Sequence, residues 1–193
     1  MIVATKAIIS GLETRYKNPK TKLERLVDEG KYHPIIRGLY ETDPNVEGYL
    51  LSVLYSPSYL SFEYALSRHG LIPEAVFAYT CATIGKRRTK EYHTPFGVYL
   101  YQDVPGKVFS KGVEMKTEGD YVYWIATPEK AMCDQLYSIK PLEGKRYFEN
   151  LLFDDLRIYE EELDKMDTEF ISEISELYHC YNVTLFSNYM RSR

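Results

Sequence analysis

An α+β architecture follows from three observations on the sequence. Strand-like runs gather between residues 75 and 126, helical periodicity dominates on either side of them, and strands do not alternate with helices as a parallel βαβ sheet requires. The elements group into a small N-terminal head and a larger body. The turn-forming Asp43-Pro44-Asn45 separates residues 1–44 from 45–193.

In the head, Ala4, Ile8, Ile9, Leu12 and Tyr16 recur at helical spacing until Asn18-Pro19 stops the segment. Thr21 to Glu29 predicts a second helix with Leu23, Leu26 and Val27 on one face, Lys22 and Arg25 off it, and Gly30 as its stop. Lys31 to Tyr40 is rich in β-branched and aromatic residues around Arg37-Gly38 and reads as a two-stranded hairpin.

The body opens with a predicted helix over Val46 to Leu54, broken at Pro57-Ser58, and a second over Phe62 to Arg68, capped by Ser61 and ended by Gly70. Strands are expected at Ala75 to Thr83, Gly97 to Gln102, Val113 to Lys116 and Tyr121 to Ala126, with Glu118-Gly119-Asp120 as a tight turn. Their short connections predict an antiparallel sheet. Helices follow at Glu129 to Ile139, Lys145 to Phe153, Glu160 to Met166, Phe170 to Tyr178 and Val183 to Met190.

Composition bounds the function. An apolar share of 45% and a charged share of 27% are those of a globular protein, and no stretch approaches the roughly 18 apolar residues of a membrane span. Met1 to Ser10 lacks the basic start and small-residue cleavage site of a secretion signal, and Cys81, Cys133 and Cys180 are too far apart for a disulfide framework or a zinc ribbon. Buried thiols in the cytoplasm are expected, without membrane contact. Residues 1–40 carry +4 against −8 for the remainder. A basic head on an acidic body points to phosphate contact by the head, through Lys20, Lys22, Arg25, Lys31 and Arg37.

Thr127-Pro-Glu-Lys-Ala-Met-Cys-Asp134 is the sharpest local motif: a capping threonine, a proline at the first helical position and a carboxylate in the first turn. Good helix initiation explains much of it. Its functional reading is a polar cluster of Glu129, Lys130 and Asp134, joined across the core by Glu63 on the preceding helix. Adjacent Glu129-Lys130 does not supply the alternation that a nuclease strand needs to put both side chains on one face. His69 beside Gly70 suits a charge interaction with a helix end. Gly85 to His93 is a basic run in which Lys86, Arg87, Arg88 and Lys90 are available for nucleic acid or an acidic protein surface. The scattered histidines form no metal set, and no phosphate loop, dinucleotide motif or nucleophile elbow occurs, so no catalytic residue, metal or cofactor is expected.

Three blocks, Tyr59-Leu-Ser-Phe-Glu-Tyr-Ala-Leu-Ser-Arg-His-Gly-Leu-Ile-Pro-Glu74, Thr94-Pro-Phe-Gly-Val-Tyr-Leu-Tyr101 and Ile125-Ala-Thr-Pro-Glu-Lys-Ala-Met-Cys-Asp134, resemble the AbiEi family of type IV antitoxins. The helix, Gly30 stop and Arg37-Gly-Leu-Tyr40 hairpin are similar to the winged-helix head of that family, with room for one helix ahead of the recognition helix. The resemblance runs from about Thr21 onward and is strongest from Tyr59 to Tyr137. It implies operator DNA as a partner of the head. It also implies a body that counteracts a nucleotidyltransferase-like toxin, directly or through the toxin's target, without catalysis. A stand-alone DNA-binding regulator and an enzyme acting on nucleic acid are the other classes considered.

Overall fold

The computed structural model describes all residues 1–193 and is an α+β protein with two sheets. The head comprises β1 (Ile2–Ala4), α1 (Thr5–Glu13), α2 (Pro19–Asp28), β2 (His33–Ile36) and β3 (Leu39–Glu41). Its antiparallel sheet runs β1-β3-β2. Both expected helices and the hairpin are present, and Gly38 takes the left-handed conformation (φ 94°) that the turn requires. Strand β1 was not expected, since three residues are too few to interrupt the helical spacing that begins at Ala4. Ile8, Leu23 and Leu26 are buried within the head, whereas Ile35 of β2 belongs to the core of the body.

The body begins with 3₁₀ turns over Gly48–Tyr55, followed by β4 (Ser58–Leu60), α3 (Phe62–Arg68), β5 (Ala78–Thr83), β6 (Lys90–Thr94), β7 (Gly97–Asp103), β8 (Val113–Glu118) and β9 (Tyr121–Ala126). Then come α4 (Pro128–Ser138), the short α5 (Phe148–Asn150) running into a π-helical turn at Leu151–Asp155, α6 (Glu160–Leu163), α7 (Thr168–Tyr178) and α8 (Tyr181–Ser192). The six-stranded sheet has the order β6-β7-β5-β4-β9-β8.

This sheet is mixed, which corrects the antiparallel expectation. Pairs β4/β5, β6/β7 and β8/β9 are antiparallel, but β5/β7 and β4/β9 are parallel. The connection after β5 passes over the place of β7 to reach the edge strand β6, so a short link joins strands that are not neighbours. Strand β6, which was not expected, overlaps the basic run Gly85 to His93, and β4 is a fully buried three-residue strand between β5 and β9.

The segment 48–55 adopts 3₁₀ turns where an α-helix was expected. The Tyr99 hydroxyl donates to the Gly48 carbonyl at 2.7 Å and the Tyr101 hydroxyl to the Ser52 carbonyl at 2.9 Å, competing with helical bonds for those acceptors. Tyr79 and Tyr99 rings pack at 5.1 Å between centroids, and Tyr55 meets Tyr101 edge-on at 5.5 Å. Tyrosine thus supplies apolar bulk to the sheet and a polar tip to the segment above it. No helix is long and apolar enough to cross a membrane.

Candidate functional site

Helix α4 starts as its motif predicts: Pro128 occupies the first turn and the Thr127 hydroxyl accepts from the Lys130 N–H at 3.4 Å. From Lys130 to Leu136 every residue is buried, because α4 is covered by α3, α7 and α8 and by β9. Lys130 and Asp134 are one turn apart on this helix and therefore face the same way. Their Nζ and Oδ1 atoms are 2.6 Å apart with neither side chain exposed.

The remaining partners arrive from distant elements. Tyr178 at the end of α7 donates to Asp134 Oδ1 at 2.6 Å, and Lys130 Nζ donates to the Tyr178 hydroxyl oxygen at 2.5 Å. Tyr59 of β4 and Ser61 donate to Asp134 Oδ2 at 2.9 and 2.7 Å. The ammonium also lies 4.9 Å from the Tyr178 ring centroid and 5.5 Å from that of Tyr59. Asp134 therefore accepts four hydrogen bonds, the number a buried carboxylate needs to offset its desolvation.

Burial pushes the Lys130 ammonium below its usual range against the pull of Asp134, and it raises the Tyr59 and Tyr178 hydroxyls, reinforced by the Asp134 charge. The Cys133 thiol beside them is likewise raised by burial. Both tyrosines stay protonated and donate. The chemistry this arrangement supplies is internal charge compensation between Lys130 and Asp134.

Of the four acidic and basic side chains expected to cluster here, Lys130 and Asp134 do so. Glu129 turns away and accepts from the Asp167 N–H at 3.1 Å, and Glu63 accepts from Gln135 Nε2 at 2.9 Å. Neither pairs with Lys130, which corrects that expectation: Glu63 meets Gln135, the residue after Asp134 on α4, and Glu129 lies on the helix's outer side. Ser61 stands at the cap position of α3 but its hydroxyl serves Asp134 instead of the helix. The His69 ring does not act on its helix end; its Nε2–H donates to the Ala126 carbonyl at 2.7 Å and ties α3 to β9.

The basic run is divided. Lys86 donates to the Ser56 carbonyl at 2.8 Å and sits 4.5 Å from the Tyr55 ring centroid. Arg87 has a left-handed backbone (φ 59°) held by Asp103, whose carboxylate accepts the Arg87 N–H at 2.6 Å. The Arg87 and Arg88 side chains are exposed, and Lys90 lies over the Tyr92 ring on β6.

In the head, Lys22 and Lys31 both pair with Glu29, at 3.8 and 3.1 Å. Lys20, Arg25 and Arg37 are exposed and make no ion pair, but the outer face of α2 interleaves Lys20 and Arg25 with Glu24 and Asp28. Sequence reasoning did not single out Tyr178, and no local pattern distinguishes it from the other tyrosines. Tyr59 lay inside a quoted block without a stated role, and Ser61 was read there only as a helix cap. No protein-family model and no curated protein matches this sequence.

Proposed function

We propose that the chain is a non-enzymatic, AbiEi-like antitoxin of the cytoplasm, with a DNA-contacting head and a body that counteracts a nucleotidyltransferase-like toxin. The observation that carries this reading is the convergence of two resembling blocks: Tyr59 and Ser61 from the first meet Lys130 and Asp134 from the third in one sealed centre. Residues shared for such a purpose mark a fold and its family more than a reaction. The second block supports the same reading, since its Tyr99 and Tyr101 hold the 3₁₀ segment.

For the head, the reading is supported by a helix pair followed by a hairpin whose second strand lies between the first and β1. Lys20 and Arg25 on α2 and Arg37 at the hairpin tip are exposed cations outside any ion pair and are offered to phosphates. Glu24 and Asp28 on the same outer face oppose a purely electrostatic grip and restrict the orientations in which α2 can approach DNA.

The test is twofold. Co-expression with a nucleotidyltransferase toxin of the same operon restores growth; persistent toxicity with the protein soluble rejects the antitoxin role. Binding to the promoter of that operon, measured against salt, weakens on Arg37→Ala and loses about one unit of salt slope per phosphate contact removed. Absence of binding at low salt rejects the DNA role and leaves the antitoxin role to the first experiment.

A further inference from the structure

Strand β8 ends the six-stranded sheet, and one of its edges is unpaired. Its register with β9 runs from Val113↔Ala126 to Glu118↔Tyr121 across the two-residue turn Gly119-Asp120. The Thr127 N–H bonds the Gly112 carbonyl at 2.8 Å, so even-numbered residues of this strand turn their backbone groups toward β9. Val113, Met115 and Thr117 therefore point theirs outward. Met115 and its cross-strand neighbours Trp124 and Val122 share one face and are 64, 38 and 40% exposed, an uncovered apolar strip along this edge. The other face of β8 carries Glu114, Lys116 and Glu118, all exposed.

We infer that β8 pairs antiparallel with β8 of a second copy of this chain about a two-fold axis at Met115. In that register each Met115 exchanges backbone bonds with its counterpart, and Val113 does so with the other copy's Thr117, about six hydrogen bonds in all. Glu114 of each copy then lies opposite Lys116 of the other, in the closer, non-hydrogen-bonded pair positions. Two opposite-charge pairs thus replace the local Glu114–Lys116 contact, which is 2.7 Å within one chain. Centring on Lys116 would oppose like charges, and centring on Thr117 would set Lys116 against Glu118 but bring Met115 opposite Gly119 of the turn, so the axis at Met115 is the one that pairs residues 113–117 throughout. An isologous pairing of this kind closes on itself, joins two six-stranded sheets into one, and covers both Met115 side chains.

Sedimentation velocity of the full chain through the micromolar range tests it. A mass that doubles with concentration is expected for the wild type. Glu114→Lys and Lys116→Glu each oppose like charges at both pairs and weaken the dimer roughly tenfold. The double reversal Glu114→Lys with Lys116→Glu restores it, and Met115→Lys, which sets two cations at the axis, abolishes it. Unchanged circular dichroism shows that the variants, all at exposed positions, remain folded. A wild type that stays monomeric leaves the edge to a strand of another chain and overturns the self-pairing. So does a dimer indifferent to either single reversal, or a double reversal that fails to recover.

Discussion

Asp134 accepts hydrogen bonds from residues 59, 61, 130 and 178, and among them only Lys130, 2.6 Å away on the same helix, brings a compensating charge. Removing either charge leaves the other buried without its counterpart. Lys130→Met and Asp134→Asn are each expected to destabilise by about 3–5 kcal/mol, and the double variant to cost well under the sum. Urea unfolding of the four proteins measures the coupling; single variants within about 1 kcal/mol of the wild type would show that the pair is dispensable.

The head is tied to the body through Glu41, which is fully buried and accepts from Tyr121 of β9 at 2.9 Å. Burial pushes this carboxyl up, and hydrogen bonds from the chain-start amine, the Asp43 and Thr42 N–H groups and Tyr121 more than reverse that, holding it below its ordinary 4.5. Its contribution is then complete above 4.5 and disappears as pH falls through the lowered folded value. Thermal melts of the wild type from neutral pH into acid should show this loss. Glu41→Gln, expected to cost about 1–3 kcal/mol at neutral pH, should have a flatter profile below 4.5.

Alkali acts through the tyrosines. Nine of the 19 (Tyr49, Tyr59, Tyr64, Tyr79, Tyr92, Tyr99, Tyr101, Tyr121 and Tyr178) have hydroxyls raised above their ordinary 10.0, burial being the first cause in each. A raised folded value stabilises below the unfolded one, and that stability declines as pH rises beyond about 10. Tyrosinate absorbance should therefore appear in two stages. The first follows the exposed rings; the second coincides with the loss of circular dichroism. A single smooth titration with the fold intact contradicts the buried ring network.

Two glycines give opposite outcomes on replacement by alanine. A methyl group at Gly48 falls on the Phe96 carbonyl oxygen and the Tyr79 ring, so Gly48→Ala should cost several kcal/mol, of the order of 2–4. Gly11 lies within α1 with nothing near its missing side chain, and Gly11→Ala should stabilise by about 0.5–1 kcal/mol. Chemical denaturation of both variants decides whether the sheet and the 3₁₀ segment approach as closely as described.

Elements whose signals are local were legible: the Thr127-Pro128 start of α4, the Gly119 turn, the Gly38 hairpin and the paired helices of the head. What escaped depends on partners remote in sequence. Strand β4 is three residues long, too short to show a period, and exists because β5 and β9 flank it. Strand β6 carries charges because it is an outer strand, and its exposure alternates along Lys90–Thr94. At the buried centre, Lys130 and Asp134 could be paired from helical spacing, whereas Glu63 and Glu129 share the same local pattern and go elsewhere. Tyr178 could not be chosen among so many tyrosines without the packing of α7 on α4.

The donors around Asp134 have a consequence for synthesis. A ribosome delivers residues 59 and 61 first, then the helix bearing 130 and 134, and the Tyr178 hydroxyl only some forty residues afterwards. Until then the carboxylate must remain hydrated, so the middle of the nascent body stays wet and plastic, open to chaperones and proteases.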